Sequence, residues 1–585
     1  RQIQLNADDN GYYSAAINID DDEMDSIITI TGVGIEDQAN AGLISILGSA
    51  KDLLAQAGSD GVLNAEKNFD VNVTHVTTAQ FGLMMQKNDG ETIDHAELLA
   101  ELSTNIDFNQ VMAIANAIKL TIDYSGELSV GLPNSMTNTL DLIENIPVAL
   151  AYAKTLSANT QLYNNAYNAT LNDPNILVPS TFEMPESLHW FPLGVPNYSV
   201  PIWQFYNNNQ GSYAGNVFTW QVQGNVITGS YTSPVTESNS EALITPNGSV
   251  MVNYQEIPTS FVLTIVNEES GLVEFVHNRT ITKIYDSDTI EALGIDDPSG
   301  EYTFINGHTS YRKNARQSLA DLRGKVAYLP IKTVQINDEN GLLKISADKY
   351  SFAENGTGTT LYSGKTFTWL QTDNSVVIST EISDDTTETA TISLFHDGTS
   401  VGPTAFNLAA SDTDDITTLG GIAQNNPNWN STEIAGVYES TFNSRNNTLS
   451  HLWFELKENG DADTFATNDD NGDGVISASE LYQAYGKWAI ENNKLTVTRI
   501  VKINTEESSP EHREPDGIEW QQYHKRTWEL ITKGNNGFGI LNKHNFTLGL
   551  AYPQNFGPEA SEVLYDIRLL EKLNEAPVDI SDLID

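Results

Sequence analysis

A mainly β chain with an α-helical bundle near the N-terminus is predicted, and three observations predict it. Apolar residues recur with a helical period between about 36 and 172, and with a two-residue period after about 180. Asn/Asp/Gly clusters interrupt the later segments at short intervals, as turns between strands do. A degenerate repeat of strand, turn and tryptophan occurs three times in the β part. With 585 residues the chain is long enough for several domains, each with its own core. The expected organisation is a hairpin over 1–33, a helical bundle over 36–172, and three antiparallel β-meander modules, barrel or sandwich, over 180–325, 326–425 and 426–575.

The first 33 residues read as β. Tyr12-Tyr-Ser-Ala-Ala-Ile-Asn-Ile19 and Ser26-Ile-Ile-Thr-Ile-Thr31 are strand-like, with Asp9-Asn10-Gly11 as a preceding turn and Asp20-Asp21-Asp22-Glu23 at the tip. Two strands alone are barely stable in water, so they either dock on the next domain or end an immunoglobulin-like module. Their pattern resembles the closing strands of a carboxypeptidase-regulatory-like sandwich.

In the helical region, Leu43, Ile44, Ile46, Leu47, Ala50, Leu53 and Leu54 are read as one apolar helix face. Val111, Ile114, Ala115, Ile118 and Ile122 form another. Further helices are expected over 75–88, 92–104 and 138–168, with Pro147 at a helix start or kink, for a bundle of about five. No carboxylate or second His stands at ligand spacing from His75 or His95, which are read as packing or surface residues.

The repeat organises the rest. Trp203-Gln-Phe-Tyr-Asn-Asn-Asn-Gln-Gly211 leads to Phe218-Thr-Trp220, and Tyr350-Ser-Phe-Ala-Glu-Asn-Gly-Thr-Gly358 to Phe367-Thr-Trp369. Trp453-Phe-Glu-Leu-Lys-Glu-Asn-Gly460 leads to Tyr485-Gly-Lys-Trp488. Each copy reads as strand, Asn/Gly turn, strand ending in Trp, turn and further strand. A weaker echo is His-x-x-Thr at His277, His396 and His524. The meander resembles the up-and-down barrels of small bacterial lipocalin-like modules. Ser310–Leu322 is read as a helix on a basic patch of Arg312, Lys313, Arg316 and Arg323 that serves as internal counter-charge. Leu564–Leu573 is expected to strap the last module, and the tail from Pro577 to be disordered.

The charge balance excludes whole classes of function. Against 30 Lys+Arg stand 78 Asp+Glu, a formal charge of −48. Phosphate binding on a surface needs clustered basic residues, so nucleic acid and anionic lipid are poor partners. No cysteine is present, which removes disulfides, thiolate catalysis and Cys-based metal ligation. No apolar run reaches the roughly 18 residues of a membrane helix, and no signal peptide precedes Arg1. This reads as a mature or trimmed product, extracellular or at a cell surface, in a saline medium containing calcium.

The most specific motif is Asp469-Asp-Asn-Gly-Asp-Gly-Val-Ile-Ser-Ala-Ser-Glu480, which satisfies D-x-[DN]-x-[DN]-G-x5-E throughout. Ca²⁺ takes six to eight oxygens at about 2.3–2.6 Å. Asp469, Asn471 and Asp473 supply alternating side-chain oxygens, Val475 its carbonyl, Ser477 a direct or water-borne ligand, and Glu480 two oxygens. Gly474 permits the turn, and Ile476 anchors the loop to a core. The loop resembles those of EF-hand and dockerin proteins and implies calcium as the cofactor. Its flanks differ: a strand precedes it, although Glu480–Tyr485 is compatible with a short exiting helix. An insertion within a β-meander suits a pinned hairpin better than a sensor. Other acidic turns, at Asp20, Asp296, Asp338 and Asp384, lack full ligand spacing.

Enzyme motifs fail. Gly398-Thr-Ser-Val-Gly402 has no helix after its Ser, and Gly364-Lys365-Thr366 opens a strand where a phosphate loop needs a helix. Trp220, Trp369 and Trp488 are read as barrel plugs or core, whereas Trp190, Trp203 and Trp429 are the candidates for a sugar-stacking platform. Two function classes follow. One is a non-catalytic extracellular structural or adhesive protein, a bacterial-type multi-module surface protein stabilised by calcium and able to form homo-oligomers or filaments. The alternative is a secreted carbohydrate-binding protein or glycan-active enzyme.

Overall fold

The computed structural model describes residues 3–583, apart from one- and two-residue gaps and the segments 177–186, 191–198, 313–320, 395–407, 411–414, 418–420, 423–427, 441–450, 468–475, 503–519 and 548–559. The chain divides into two compact units, one of 1–106 with 114–146, the other of 107–113 with 147–585.

In the first unit, strand Ile27–Val33 pairs antiparallel with Gly42–Ser49, and helix Ala50–Ala57 follows directly. Two expectations are corrected here. Tyr12–Ile19 forms no strand, and the apolar run at 43–47 is strand rather than helix. A short apolar run fits both periods, and Ile44 and Ile46 favour the extended one. The strand ends where the Ser49 hydroxyl accepts the Asp52 N–H at 3.2 Å and caps the helix. Helices His75–Lys87, Ala96–Ser103 and Thr139–Ile143 match the expected positions. So does Phe108–Asp123, whose residues divide between the two units and on whose face Val111, Ile114, Ala115 and Ile118 are buried. Thr74 and Thr77 form a reciprocal capping box at the start of His75–Lys87.

The second unit begins with helices Ile146–Ser157, with Pro147 in the first turn, and Thr160–Leu171. After them the described elements are strands, apart from the short helix Ser287–Leu293 and the 3₁₀ turn Ala478–Glu480. Strands Ser187–Trp190, Ser199–Phe205, Gln210–Tyr213, Asn216–Gln223, Val226–Ser233, Gly248–Glu269, Leu272–Tyr285 and Gly300–Arg312 pair in that order, and the last returns to the first. They form a first closed antiparallel ring. Its core is Trp203, Phe205, Phe218, Trp220, Phe261 and Phe275, with Trp203 stacked on Tyr213 at 3.9 Å. Strand Glu237–Thr245 lies on Gly248–Glu256, outside the ring. The expected helix from Ser310 is corrected: Gly300–Arg312 is strand, and Arg312 pairs with Glu268 as an internal counter-charge. Lys313 and Arg316 lie outside the described residues.

The second closed barrel contains eight antiparallel strands: Gly436–Ser440, His451–Leu456, Asp461–Thr467, Leu481–Glu491, Lys494–Lys502, Trp520–Gly534, Gly537–Thr547 and Ser561–Leu573. The predicted C-terminal strap is the strand that closes this ring. Trp429 plugs one end, donating its indole N–H to the Trp528 carbonyl at 3.1 Å. The tail is not loose: Ile580 is buried against Trp453 and Phe465 on the outer face, which corrects the expected disorder.

Between the barrels lies an open sheet running from Val326–Asp338 to Asp415–Thr417. It is continuous with both neighbours. Asp415–Thr417 pairs with Ser199–Pro201 of the first barrel, and Gly341–Ile345 runs parallel to Ser561–Tyr565 of the second. At Gly341 (φ 125°) a Cβ would lie 1.8 Å from the Ser561 carbonyl oxygen, so only glycine admits this approach. Tyr328 and Ala347 of the sheet pack on Ile531, Leu541 and Ile567 of the barrel. Beside them Glu529 accepts from Tyr328, Tyr362, Lys349 and Lys494. Burial opposes its charge, but the bonds from Lys494 and Tyr362 outweigh burial and hold the carboxyl below its ordinary pKa.

The internal repeat is one turn built three times. Asn209, Gly356 and Gly460 occupy the left-handed region at φ 60°, 81° and 88°. Their carbonyls accept the backbone N–H of Trp220, Trp369 and Trp488 at 3.0, 2.9 and 2.8 Å. Each indole N–H then bonds a carbonyl of the same turn: Gln210, Thr357 and Lys457 at 2.9, 3.0 and 2.7 Å. The three tryptophans are core or core-edge residues, as expected.

Candidate functional site

The calcium-type loop occupies the tip of the hairpin between Asp461–Thr467 and Leu481–Glu491, whose last described pair is Thr467 with Leu481. Asp469, Asn471, Asp473 and Val475 lie outside the described residues. Ser477 and Glu480 do not. The Glu480 carboxylate accepts the Ser477 N–H at 2.9 Å and its hydroxyl at 2.7 Å. Ile476 beside them is buried, as an anchor should be. One departure is clear. Ala478–Glu480 is a single 3₁₀ turn and a strand starts at Leu481, so no exiting helix follows. Strands flank the loop on both sides, because Leu481–Glu491 continues the barrel. Among the described residues no three His, Asp or Glu side chains gather as a metal cluster.

A second constellation emerges from the barrel's own alternation. In Trp520–Gly534 the residues His524, Arg526, Trp528 and Leu530 share the inward face. Trp528 and Leu530 join the apolar core, while His524 and Arg526 sit toward the end from which the calcium-type hairpin emerges. Neighbouring strands repeat this change of character. Val497 gives way to Arg499, Asn542 to His544, and Leu570 to Arg568 and Asp566. Half the barrel interior is apolar and half is cationic.

The geometry there is specific. Arg568 binds Asp566 through Nε at 3.0 and 3.1 Å and Nη2 at 2.8 Å. Asn542 donates to the same carboxylate at 2.7 Å and accepts the Trp528 indole N–H at 3.1 Å. Arg526 is 6% exposed and lies over the Phe454 ring at 5.3 Å, and Arg499 lies over Tyr482 at 5.3 Å. The His524 and His544 rings are 4.1 Å apart. Buried Nε and Nη1 of Arg526, Nε of Arg499 and Nε2 of His544 have no hydrogen-bond partner. Burial first, then the arginines, push His524 well below its ordinary pKa and His544 down to about 2. Both imidazoles are therefore neutral. Burial and the neighbouring Arg568 and Arg499 also depress Arg526, but a guanidinium starts high enough to remain charged. Three guanidiniums thus face one carboxylate.

The sequence contained a signal for this site, the alternation His524-x-Arg526-x-Trp528-x-Leu530, in which basic residues occupy a core-facing register. The His-x-x-Thr echo pointed elsewhere. His277 lies on the seventh strand of its ring and His524 on the sixth of the other, so the two are not equivalent, and His396 lies outside the described residues. Two of the proposed sugar platforms are corrected: Trp203 and Trp429 are 1% and 7% exposed and belong to barrel cores. The side-chain surroundings of Trp190 lie outside the description.

No protein-family model matches the chain, and no curated protein does. Among solved structures it is similar to a mutant of the vaccine antigen transferrin binding protein B from Haemophilus parasuis Hp5, at 8% identity, covering 67% of this chain and 77% of that chain with a TM-score of 0.18. The functional reading therefore rests on this chain's own residues.

Proposed function

We propose that the chain is a non-catalytic extracellular structural or adhesive protein, stabilised by calcium and able to associate with copies of itself. One observation carries this reading. The apolar parts of both barrels are filled by their own side chains, Trp203, Phe218, Phe261 and Phe275 in one and Trp429, Phe454, Trp528 and Phe538 in the other. Partners then meet outer faces and end loops held by rigid walls. Calcium, where bound, is held by Asp469, Asn471, Asp473, the Val475 carbonyl, Ser477 and Glu480, and its chemistry there is charge neutralisation of the hairpin tip. Glu480 and Ser477 are already gathered at one side of that loop, which supports the assignment. With Trp203 and Trp429 in cores, the carbohydrate-binding alternative loses two of its three stated platform residues.

Light scattering tests the reading. The charge of −48 opposes contact between copies at low ionic strength, and salt shortens its range to about 8 Å at physiological concentration. Association should grow with salt and calcium and reverse on dilution into low salt. Monomers throughout that range at high protein concentration would refute it.

A further inference from the structure

Nothing in closing an eight-stranded barrel calls for two buried guanidiniums and a third partly buried beside them, and the apolar half shows what fills the space otherwise. We propose that the cationic end of the second barrel is a binding site for one tetrahedral oxyanion of the phosphate or sulfate class, held by Arg499 and Arg526 with the His524–His544 pair beside them. The inference stands apart from calcium binding and self-association.

Charge supplies the first argument. Asp566 is the one carboxylate bonded within the cluster among the described residues, and Arg568 and Asn542 already engage it. The guanidiniums of Arg499 and Arg526 are left without a carboxylate partner there. Burying such a charge uncompensated is costly enough that an apolar residue of similar size would stabilise the barrel more. A bound anion supplies the missing charge.

Hydrogen-bonding capacity supplies the second. Arg526 Nε and Nη1, Arg499 Nε and His544 Nε2 are buried nitrogens without partners. The facing strands add two more orphaned groups, the Thr464 and Ser440 hydroxyls, on the inward register of Ala462 and Tyr438. Planar guanidinium forks match the oxygen spacing of phosphate and sulfate, and charge-assisted bonds of this kind are the strong ones. A neutral imidazole beside them donates one N–H without adding repulsion between cations.

The test uses the full chain in calcium-free, low-oxyanion buffer, with thermal melts recorded in sodium phosphate, sulfate, acetate and chloride at equal ionic strength. Phosphate or sulfate should raise the melting temperature of the second barrel, with the rise continuing as the logarithm of concentration beyond Kd. Acetate and chloride should not. Arg526→Met should melt higher than the parent without oxyanion and lose the response, a reversal of sign that a purely structural arginine would not show. Arg499 is only partly buried, so Arg499→Gln keeps a folded readout if the first variant fails; it should weaken binding by tenfold or more in titration calorimetry. An equal response to all four salts, or a parent-like response in Arg499→Gln, would overturn the proposal.

Discussion

Four histidines act as neutral wall residues, and this sets how the molecule meets acid. Burial pushes His277 and His524 well below their ordinary pKa, His308 to about 3 and His544 to about 2, with Arg279 or the arginine cluster adding to burial. An unfolded histidine titrates near 6.5. Below that pH the unfolded chain takes up protons that the barrels do not, so stability is lost as pH falls, and at pH 7 no such loss exists. Each histidine contributes a slope of about 1.4 kcal/mol per pH unit below about 6.5. Denaturant melts between pH 7 and 4 should show this decline, and His544→Phe should flatten it by one histidine's share. An unchanged slope would mean that His544 protonates within the fold.

At the scale of elements, the repeat was legible because its chemistry is local. A left-handed residue, a turn carbonyl and an indole N–H lie within about a dozen residues of one another in the first two copies, and Asn209, Gly356 and Gly460 mark the place. Strand-sharing was not legible. The middle segment reads as a module of its own, yet its sheet continues into Ser199–Pro201 and Ser561–Tyr565. Residues 326–425 expressed alone should therefore lack the cooperative unfolding of a domain, because Asp415–Thr417 and Gly341–Ile345 lose their partner strands and the Tyr328–Ala347 face loses Ile531, Leu541 and Ile567. A sharp two-state melt of that fragment would contradict the shared sheet.

The other misreadings have the same root. The run 43–47 is short enough to satisfy either period, and Gly42–Ser49 is drawn into strand by pairing with Ile27–Val33. The tail reads as polar and Pro-broken, but Ile580 reaches the apolar outer face around Trp453, which no local pattern announces. The cationic cluster gathers residues from five strands over nearly ninety positions, whereas the calcium-type loop is twelve consecutive residues and so stood out. For that loop, Glu480→Gln should abolish most of the calcium-dependent stabilisation, worth about 2.7 kcal/mol at a hundredfold excess over Kd. Chelator should lower the melting of the second barrel and leave the first unchanged. Equal melting and equal proteolysis near Gly472 with and without chelator would show an acidic turn.

At the scale of the whole molecule, the second unit carries two filled barrels that share strands with one continuous sheet, and a net charge of −48 opposes contact between copies. The described helices include none long and apolar enough to cross a membrane. The central claim is that such chains assemble. Negative-stain electron microscopy of the purified chain tests it most directly, comparing marine-like salt with millimolar calcium against low salt with chelator. The account predicts chains joined in regular contact in the first condition and dispersed particles in the second. Dispersed single particles in both would contradict it.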